Sequence, residues 1–167
     1  AIESYIKMHK PYVIALNTQQ NIAQDLIDVR AACHPVRLLA DCHEHLKLPQ
    51  PLITPATMLP KDVQQDLKNK VLYDFGIEIN VDGFEFNQNY AQLPTSLVMA
   101  YTLAIATCGQ AQKILLAGFD GFDDGDPRNQ ESEAVFTAYD QASNALEVTS
   151  ITPTRYRINQ ISLYGTL

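Results

Sequence analysis

Short apolar runs alternate with helical patterns along this chain, and that alternation constrains the fold more than any other feature. Strands are predicted at YVIAL (12–16), DVRAA (28–32), PLITP (51–55), VLYDFGIEI (71–79, interrupted at Gly76), KILLAGF (113–119) and LEVTSI (146–151). Helices are predicted near 2–10, 34–46, 61–70, 94–109 and 130–142; the one over 34–46 has apolar residues at helical spacing, and the one over 61–70 is polar. Alternation of this kind indicates a parallel sheet with helices on both faces. We therefore predict an α/β fold, a Rossmann-like three-layer sandwich with a mostly parallel sheet.

The length of 167 residues fits one domain, so a single Rossmann-like domain is predicted over 1–167. The chain opens on Ala1 and enters a helical pattern without preamble, as an excised domain does. We expect it to be the C-terminal part of a longer protein. Pro94 opens the clearest helix, Thr95 or Ser96 is expected to cap it, and Gly109 to end it. The segment FEFNQNYAQ (84–92) is predicted to be irregular.

Composition excludes several classes of partner. The formal net charge of −7 and the pI near 4.9 argue against nucleic acid and anionic membranes, which require a cationic surface. No apolar run reaches the ~18 residues of a membrane span. Three cysteines form an odd set without disulfide spacing, which predicts free thiols and a cytoplasmic location.

Ligands of such sheets bind beyond the carboxyl ends of the strands, near the point where the strand order reverses. Asn17 and Asp120 each follow a predicted buried strand there, and Gly118 and Gly121 are expected to shape the loop that contains Asp120. A ligand-binding role competes with a simple turn, which Asn and Asp both favour. Asp123, Asp124, Asp126 and the later acids are interpreted as solvated or as caps of the next helix.

Two further segments lie at the same predicted edge. His34 and Arg37 are candidates for holding an anion, with His34 also able to act as an acid or base, unless they merely begin a helix. Thr154 and Arg155, in TPTRYR (152–157), offer a hydroxyl and a guanidinium suited to phosphate or carboxylate, unless Arg155 only forms a surface salt bridge.

Familiar signatures of catalysis and cofactor binding are missing. The chain has no G-x-x-x-x-G-K-[ST] loop, no G-x-G-x-x-G and no G-x-S-x-G. CHPVRLLADCHEH (33–45) is rich in Cys and His but has no C-x-x-C pair, so ordinary packing with exposed histidines is favoured over zinc. The acidic loop does not fit an EF-hand. No metal site is predicted, and no cofactor is identified.

Several stretches resemble a known family. They are LPTSLVMAYTLAIATCGQAQKILLAGFDGFDDGDPRNQESE (93–133), YDQASNALEVTSITPTRYRINQISLYG (139–165), CHPVRLLAD (33–41) and PLITPATMLP (51–60). Together they resemble the C-terminal domain of bacterial aldolase-like proteins, homologues of 4-hydroxy-2-oxovalerate aldolase and HMG-CoA-lyase-like barrels from surface-polysaccharide gene sets. The resemblance implies an N-terminal TIM-barrel aldolase domain as a partner. This chain is too short to be that barrel.

More distantly, the helix followed by KILLAGFD is similar to a Rossmann-like superfamily of bacterial sialyltransferases and hydroxymethylpterin diphosphokinases. That similarity implies a crevice for a nucleotide or nucleotide-sugar near Asn17 and Asp120. Those relatives usually carry a G-x-G-P-S-like loop after the first strand, and LNTQQNI (16–22) departs from it. The departure puts phosphate-handling chemistry in doubt.

Three functions follow as hypotheses. The favoured one is an accessory domain of an aldolase-type enzyme of surface-carbohydrate metabolism, which binds a nucleotide or an acidic sugar. The second is a stand-alone glycosyl- or phosphoryl-transferase-like catalytic domain that uses Asp120 and His34. The third is a structural module that forms a homo-oligomer. No complete set of nucleophile, base and orienting group is visible, and this favours the accessory domain.

Overall fold

The computed structural model describes residues 1–165. Within that range the helices α1 to α5 span Ile2–His9, Pro35–Lys47, Lys61–Asp66, Val98–Cys108 and Pro127–Asp140. The strands β1 to β10 are Ile14–Leu16, Val29–Ala31, Leu52–Thr54, Leu72–Asp74, Gly76–Ile79, Glu85–Phe86, Tyr90–Leu93, Ile114–Leu116, Val148–Ser150 and Asn159–Gln160. Single 3-10 turns lie at Gln24–Leu26, Ala56–Met58 and Leu163–Gly165.

The strands form three sheets. One is parallel throughout, in the order β1-β2-β3-β4, and a second is parallel in the order β10-β9-β8. In the third, of order β5-β7-β6, β5 and β7 are parallel and β6 is antiparallel to β7. Parallel pairing therefore dominates, as predicted.

Helices cover both faces of the parallel sheets. Side chains of successive strand residues point to opposite faces, and they enter different cores here. Leu52 packs with α2 and α3, whereas Ile53 packs with α4 and α5. On β8, Leu115 packs with α1, whereas Ile114 packs with α4 and α5. The chain is thus an α/β Rossmann-like three-layer sandwich, with α1 to α3 on one face and α4 and α5 on the other.

The two parallel sheets run in the same direction. The Cys33 thiol, just after β2, donates to the carbonyl of Ser96, just before α4, at 3.3 Å. Helix α4 therefore begins at the carboxyl edge of the first sheet, and after it ends at Cys108 the chain enters β8 at Ile114. Helices in such units run antiparallel to the strands, so β8 also ends at this edge.

Most predicted elements are present with shifted ends. The strand predicted over 71–79 is instead two strands, β4 and β5, in different sheets, and three further predictions were wrong. FEFNQNYAQ is not irregular, because it contains β6 and the first half of β7. The cap of α4 is neither Thr95 nor Ser96: Leu97 occupies the N-cap position, without a side-chain hydrogen bond. LEVTSI is not the last strand, since β10 follows it. Gly109 does end α4, as predicted.

Two further features are the state of the cysteines and the character of the helices. Cys33, Cys42 and Cys108 are free thiols, as predicted. None of the helices in residues 1–165 has the length and apolar character needed to cross a bilayer.

Candidate functional site

The loops after β8 and β9 meet at the carboxyl edge of the sheets and hold each other in place. Hydroxyl groups of the loop after β9 form hydrogen bonds with the backbone of the loop after β8. These bonds fix both loops although no β-sheet pairing joins them. Three hydrogen bonds join them: Gly118 N to Thr152 Oγ1 (3.0 Å), Thr154 Oγ1 to Phe119 O (2.6 Å) and Arg155 N to Asp120 O (3.2 Å). The structure thereby brings together five of the predicted site residues, which are Gly118, Asp120, Gly121, Thr154 and Arg155.

Two glycines give this double loop its shape. Gly118 and Gly121 have φ values of +77° and +98°, a region that L side chains rarely adopt. A Cβ on Gly118 would meet no atom within 4 Å, so the backbone faces open space. A Cβ on Gly121 would lie 3.2 Å from both Arg155 Cδ and Asn129 Oδ1. Gly121 therefore also permits close packing of the two loops.

Alanine substitutions at these glycines separate backbone strain from packing. We expect Gly118→Ala to lower the free energy of unfolding by about 1–2 kcal/mol through its positive φ alone. Gly121→Ala should cost roughly 1 kcal/mol more, because two neighbouring side chains must shift. Urea unfolding of both variants measures the difference, and equal losses would show that the close approach at Gly121 does not matter.

Ion pairs organise the acidic loop. Asp126 caps α5, accepting from the backbone N of Arg128 at 2.9 Å and from its guanidinium at 2.6 Å. These bonds hold the pKa of Asp126 below its usual value. The Arg128 guanidinium also lies over the Phe122 ring, 4.0 Å from its centroid. The interpretation of Asp126 as a helix cap is thus confirmed.

Arg155 lies at the outer side of the double loop. Its guanidinium bonds to Asp124, while about half of its side chain (52%) remains exposed. Exposed pairs of this kind contribute little to stability, typically 0–1 kcal/mol. The Asp120 side chain is exposed and forms no hydrogen bond within residues 1–165, and the loop uses only its backbone carbonyl. Arg155 and Asp120 are therefore both available to a ligand.

Asn17 directly follows β1 and lies in the left-handed region, with φ +50°. Its backbone N donates to Ala31 O at 2.8 Å, and its carbonyl accepts from Arg30 Nη1 at 3.1 Å. The backbone thus forms the turn that Asn favours, and the side chain is partly exposed at the carboxyl edge.

His34 and Arg37 lie at the start of α2. His34 is the N-cap residue, is exposed and makes no side-chain capping bond. Arg37 is also exposed and pairs with Asp41 one turn along the helix at 3.6 Å. Neither residue bonds to Asn17 or to the double loop, so the predicted site residues form one joined group and three separate positions.

Sequence reasoning missed Arg30, in the middle of β2. It is fully buried, at 0% exposure, yet no carboxylate pairs with it in residues 1–165. Its guanidinium binds neutral oxygens of the segment after β1 and of Gln50, and burial lowers its pKa. A charged residue inside an otherwise apolar strand, DVRAA, is the signal that marks it.

Two buried groups in the Cys- and His-rich segment are structural. Burial raises the pKa of the Cys33 thiol to about 12, so it is protonated at neutral pH and a poor nucleophile. The expectation that the histidines are exposed was wrong for His45, which is 1% exposed and lies on the buried face of α2. Across residues 1–165, no group of three or more His, Cys, Asp or Glu side chains is arranged to hold a metal ion.

Comparisons with models of known protein families, with curated protein sequences and with solved structures gave no match in any of the three. The resemblance to aldolase-like proteins thus stays a prediction.

Proposed function

We propose that this chain is a ligand-binding domain that takes a nucleotide or an acidic sugar at the carboxyl edge of its parallel sheets. One observation carries the proposal. The helices change from one face of the sandwich to the other between β1 and β8, and these strands end at Asn17 and at the Gly118 loop. In doubly wound folds, ligands bind at this switch point.

The surroundings favour an anionic group on the ligand. Arg30 carries a buried positive charge beneath the Asn17 turn, and no carboxylate among residues 1–165 pairs with it. Gly118 presents its backbone to open space, which lets a ligand approach closely. Arg155 is held beside it by the bonds of the double loop, whereas the hydroxyl of Thr154 already donates to Phe119 O and so only positions the loop. A phosphate or sugar carboxylate is the group that the partly exposed guanidinium of Arg155 would recognise.

Binding without catalysis is the form of the function that the site supports. His34 and Asp120, which a transferase would need to act together, are not joined by a hydrogen bond within residues 1–165. The nearby Cys33 thiol is protonated and buried. An accessory role beside the catalytic part of an aldolase-type enzyme of surface-carbohydrate metabolism therefore fits better than independent turnover.

A thermal-shift screen against nucleotides, nucleotide-sugars and sialic-acid-like sugars tests the proposal. A ligand at 100 times its dissociation constant should stabilise the chain by roughly 2.7 kcal/mol, which raises Tm measurably. Turnover of a nucleotide-sugar donor by the chain alone would instead favour the transferase. The absence of any shift, together with a stable homo-oligomer, would favour the structural module.

Asp120→Ala tests the location of the site once a ligand shifts Tm. We expect the variant to weaken binding at least about tenfold, equivalent to ~1.4 kcal/mol, because its carboxyl group is exposed at the edge. Stability should change by less than about 0.5 kcal/mol, since the side chain makes no hydrogen bond in the loop. Titration calorimetry measures the affinity.

Asp140→Ala is the matched control. Asp140 is also an exposed aspartate, but it ends α5, so it lies away from the carboxyl edge where that helix begins. The control should bind ligand as the unchanged chain does. Equal binding by Asp120→Ala and by the control would remove Asp120 from the site.

A further inference from the structure

We propose that the gap between β1 and β8 accepts one more strand, parallel to both, supplied by polypeptide that leads into α1. The two strands belong to separate sheets and are not hydrogen-bonded to each other. Each is the edge of its sheet: β1 pairs only with β2, and β8 pairs only with β9. A Rossmann-like sandwich normally has continuous pairing at this point, because it is the centre of the sheet.

The same two helices cover both strands, which places their free edges opposite each other. On one face, Ile14 of β1 and Ile114 of β8 pack into the core formed by α4 and α5. On the other face, α1 spans the two sides. Tyr5 packs with Leu115 of β8, and Glu3 accepts from the backbone N of Ala23, after β1, at 2.9 Å.

The free edge of β1 carries unused backbone groups. Val29 N donates to Val13 O at 3.2 Å, and Asn17 N donates to Ala31 O at 2.8 Å. Residues in a parallel strand alternate in the neighbour that their backbone faces, so Ile14 and Leu16 face away from β2.

The free edge of β8 also carries an unused backbone group. Ile114 N donates to Glu147 O and Ile151 N donates to Leu116 O, both at 2.9 Å, so these bonds join β8 to β9. Leu115 therefore faces away from β9, toward β1. Its backbone N–H and that of Leu16 form no hydrogen bond within residues 1–165.

Burial also marks the gap. All three residues of β2 are buried, as expected inside a sandwich, but all three of β1 are partly exposed. Ile114 and Leu115 of β8 are partly exposed as well. Apolar strands with an open edge are liable to pair with any available strand, so proteins normally cover them.

Topology selects the occupant. Helix α1 reaches β1 through a connection of only a few residues, 10–13, as the second half of a β-α-β unit does. The strand that precedes the helix of such a unit lies parallel to the following strand, through a right-handed crossover beneath the helix. Here α1 covers the gap itself, so a strand leading into α1 falls between β1 and β8. A position buried on both faces requires an apolar sequence rich in Val and Ile.

A designed extension tests the proposal. A strand of about six alternating Val and Ile residues, followed by a loop of about three residues, is fused before Ala1. Amide hydrogen exchange, followed by NMR, is compared with that of the original chain. We expect the amides of Leu16 and Leu115 to exchange about 100-fold more slowly in the extended chain, and its Tm to be higher. The Ile114 amide, already bonded to Glu147, serves as an internal reference.

The matched control carries proline at alternate positions of the added strand, because proline cannot donate to a sheet. It should leave both amides as they are in the original chain. Equal protection by the two extensions overturns the proposal. Strong protection of Leu16 and Leu115 in the original chain at low concentration also overturns it, because β1 and β8 would then pair directly. Protection that grows with protein concentration would assign the gap to a second copy and overturn the proposed occupant.

Discussion

Replacing Arg30 with methionine is expected to lower the free energy of unfolding by about 2–4 kcal/mol. The guanidinium is fully buried and bonds to Gln50 Oε1 at 2.8 Å, Gln24 Oε1 at 2.7 Å and the carbonyl of Gln19 at 2.8 Å. Methionine fills much of the volume but leaves these buried acceptors without a donor. Relief of the buried charge offsets only part of that loss, since each unsatisfied acceptor costs about 1–3 kcal/mol.

Arg30→Lys is the matched control. Lysine keeps the charge but not the planar fork that reaches acceptors on three segments. We therefore expect the free energy of unfolding of Arg30→Lys to lie between those of the unchanged chain and the methionine variant. Urea unfolding measures both. The ligand affinity of each variant should also fall, because the segment after Asn17 loses its anchor. A methionine variant as stable as the original chain would contradict the account of the network.

The alternation of apolar runs and helices was enough to predict the α/β class. Strand β3, for example, is a short apolar run covered by helices on both of its faces, and such a run is a local signal in the sequence. Strands β6 and β7 were missed because their segment is rich in Asn and Gln. They are stabilised by pairing with each other and with β5, and Phe86 packs against Tyr139 in α5. These strands therefore depend on the partners they pair with, and the apolar pattern of their own segment does not indicate them.

The candidate site was predictable only as an edge. Parallel strands place their following loops together, which anticipated that Asp120 and Thr154 would lie near each other. The bonds that fix those loops depend on backbone geometry at Gly118 and Gly121, which spacing does not reveal. Arg30 was missed because its partners, Gln24 and Gln50, are ordinary polar residues that the fold brings to one place.

His45 shows how a small rotation changes a prediction. Leu38, Leu39, Cys42 and Leu46 recur at helical spacing in the sequence, and a buried stripe through them would leave His45 exposed. In the structure Leu39 and Leu46 are 53% and 38% exposed, and Leu38, Cys42 and His45 face inward. Both stripes have helical spacing, and the one that faces the sheet is decided by packing against α3 and β3.

The stability of the chain is expected to fall by about 3 kcal/mol between pH 7 and pH 4 because of His45. Burial, together with Lys70, lowers the pKa of this imidazole from 6.5 to about 4 in the folded chain, while Asp41 opposes the shift. Its Nδ1 atom has no hydrogen-bond partner within residues 1–165. Between pH 6.5 and 4 the unfolded chain binds the proton and the folded chain does not. The contribution of His45 to stability therefore rises with pH through that window and is constant above it.

Urea unfolding at half-unit steps of pH checks the slope, and His45→Gln serves as the variant. Glutamine removes the titration, so the curve should flatten between pH 6.5 and 4, whatever the loss of stability at pH 7. The carboxyl groups with lowered pKa, Glu44 and Asp126, stabilise the fold above their ordinary values of 4.5 and 3.8, so their contribution is lost only at the acid end of the window. His43→Gln, at an exposed position two residues earlier on α2, is the matched control and should keep the slope. A slope unchanged by His45→Gln would show that this imidazole is protonated in the folded chain as readily as in the unfolded one.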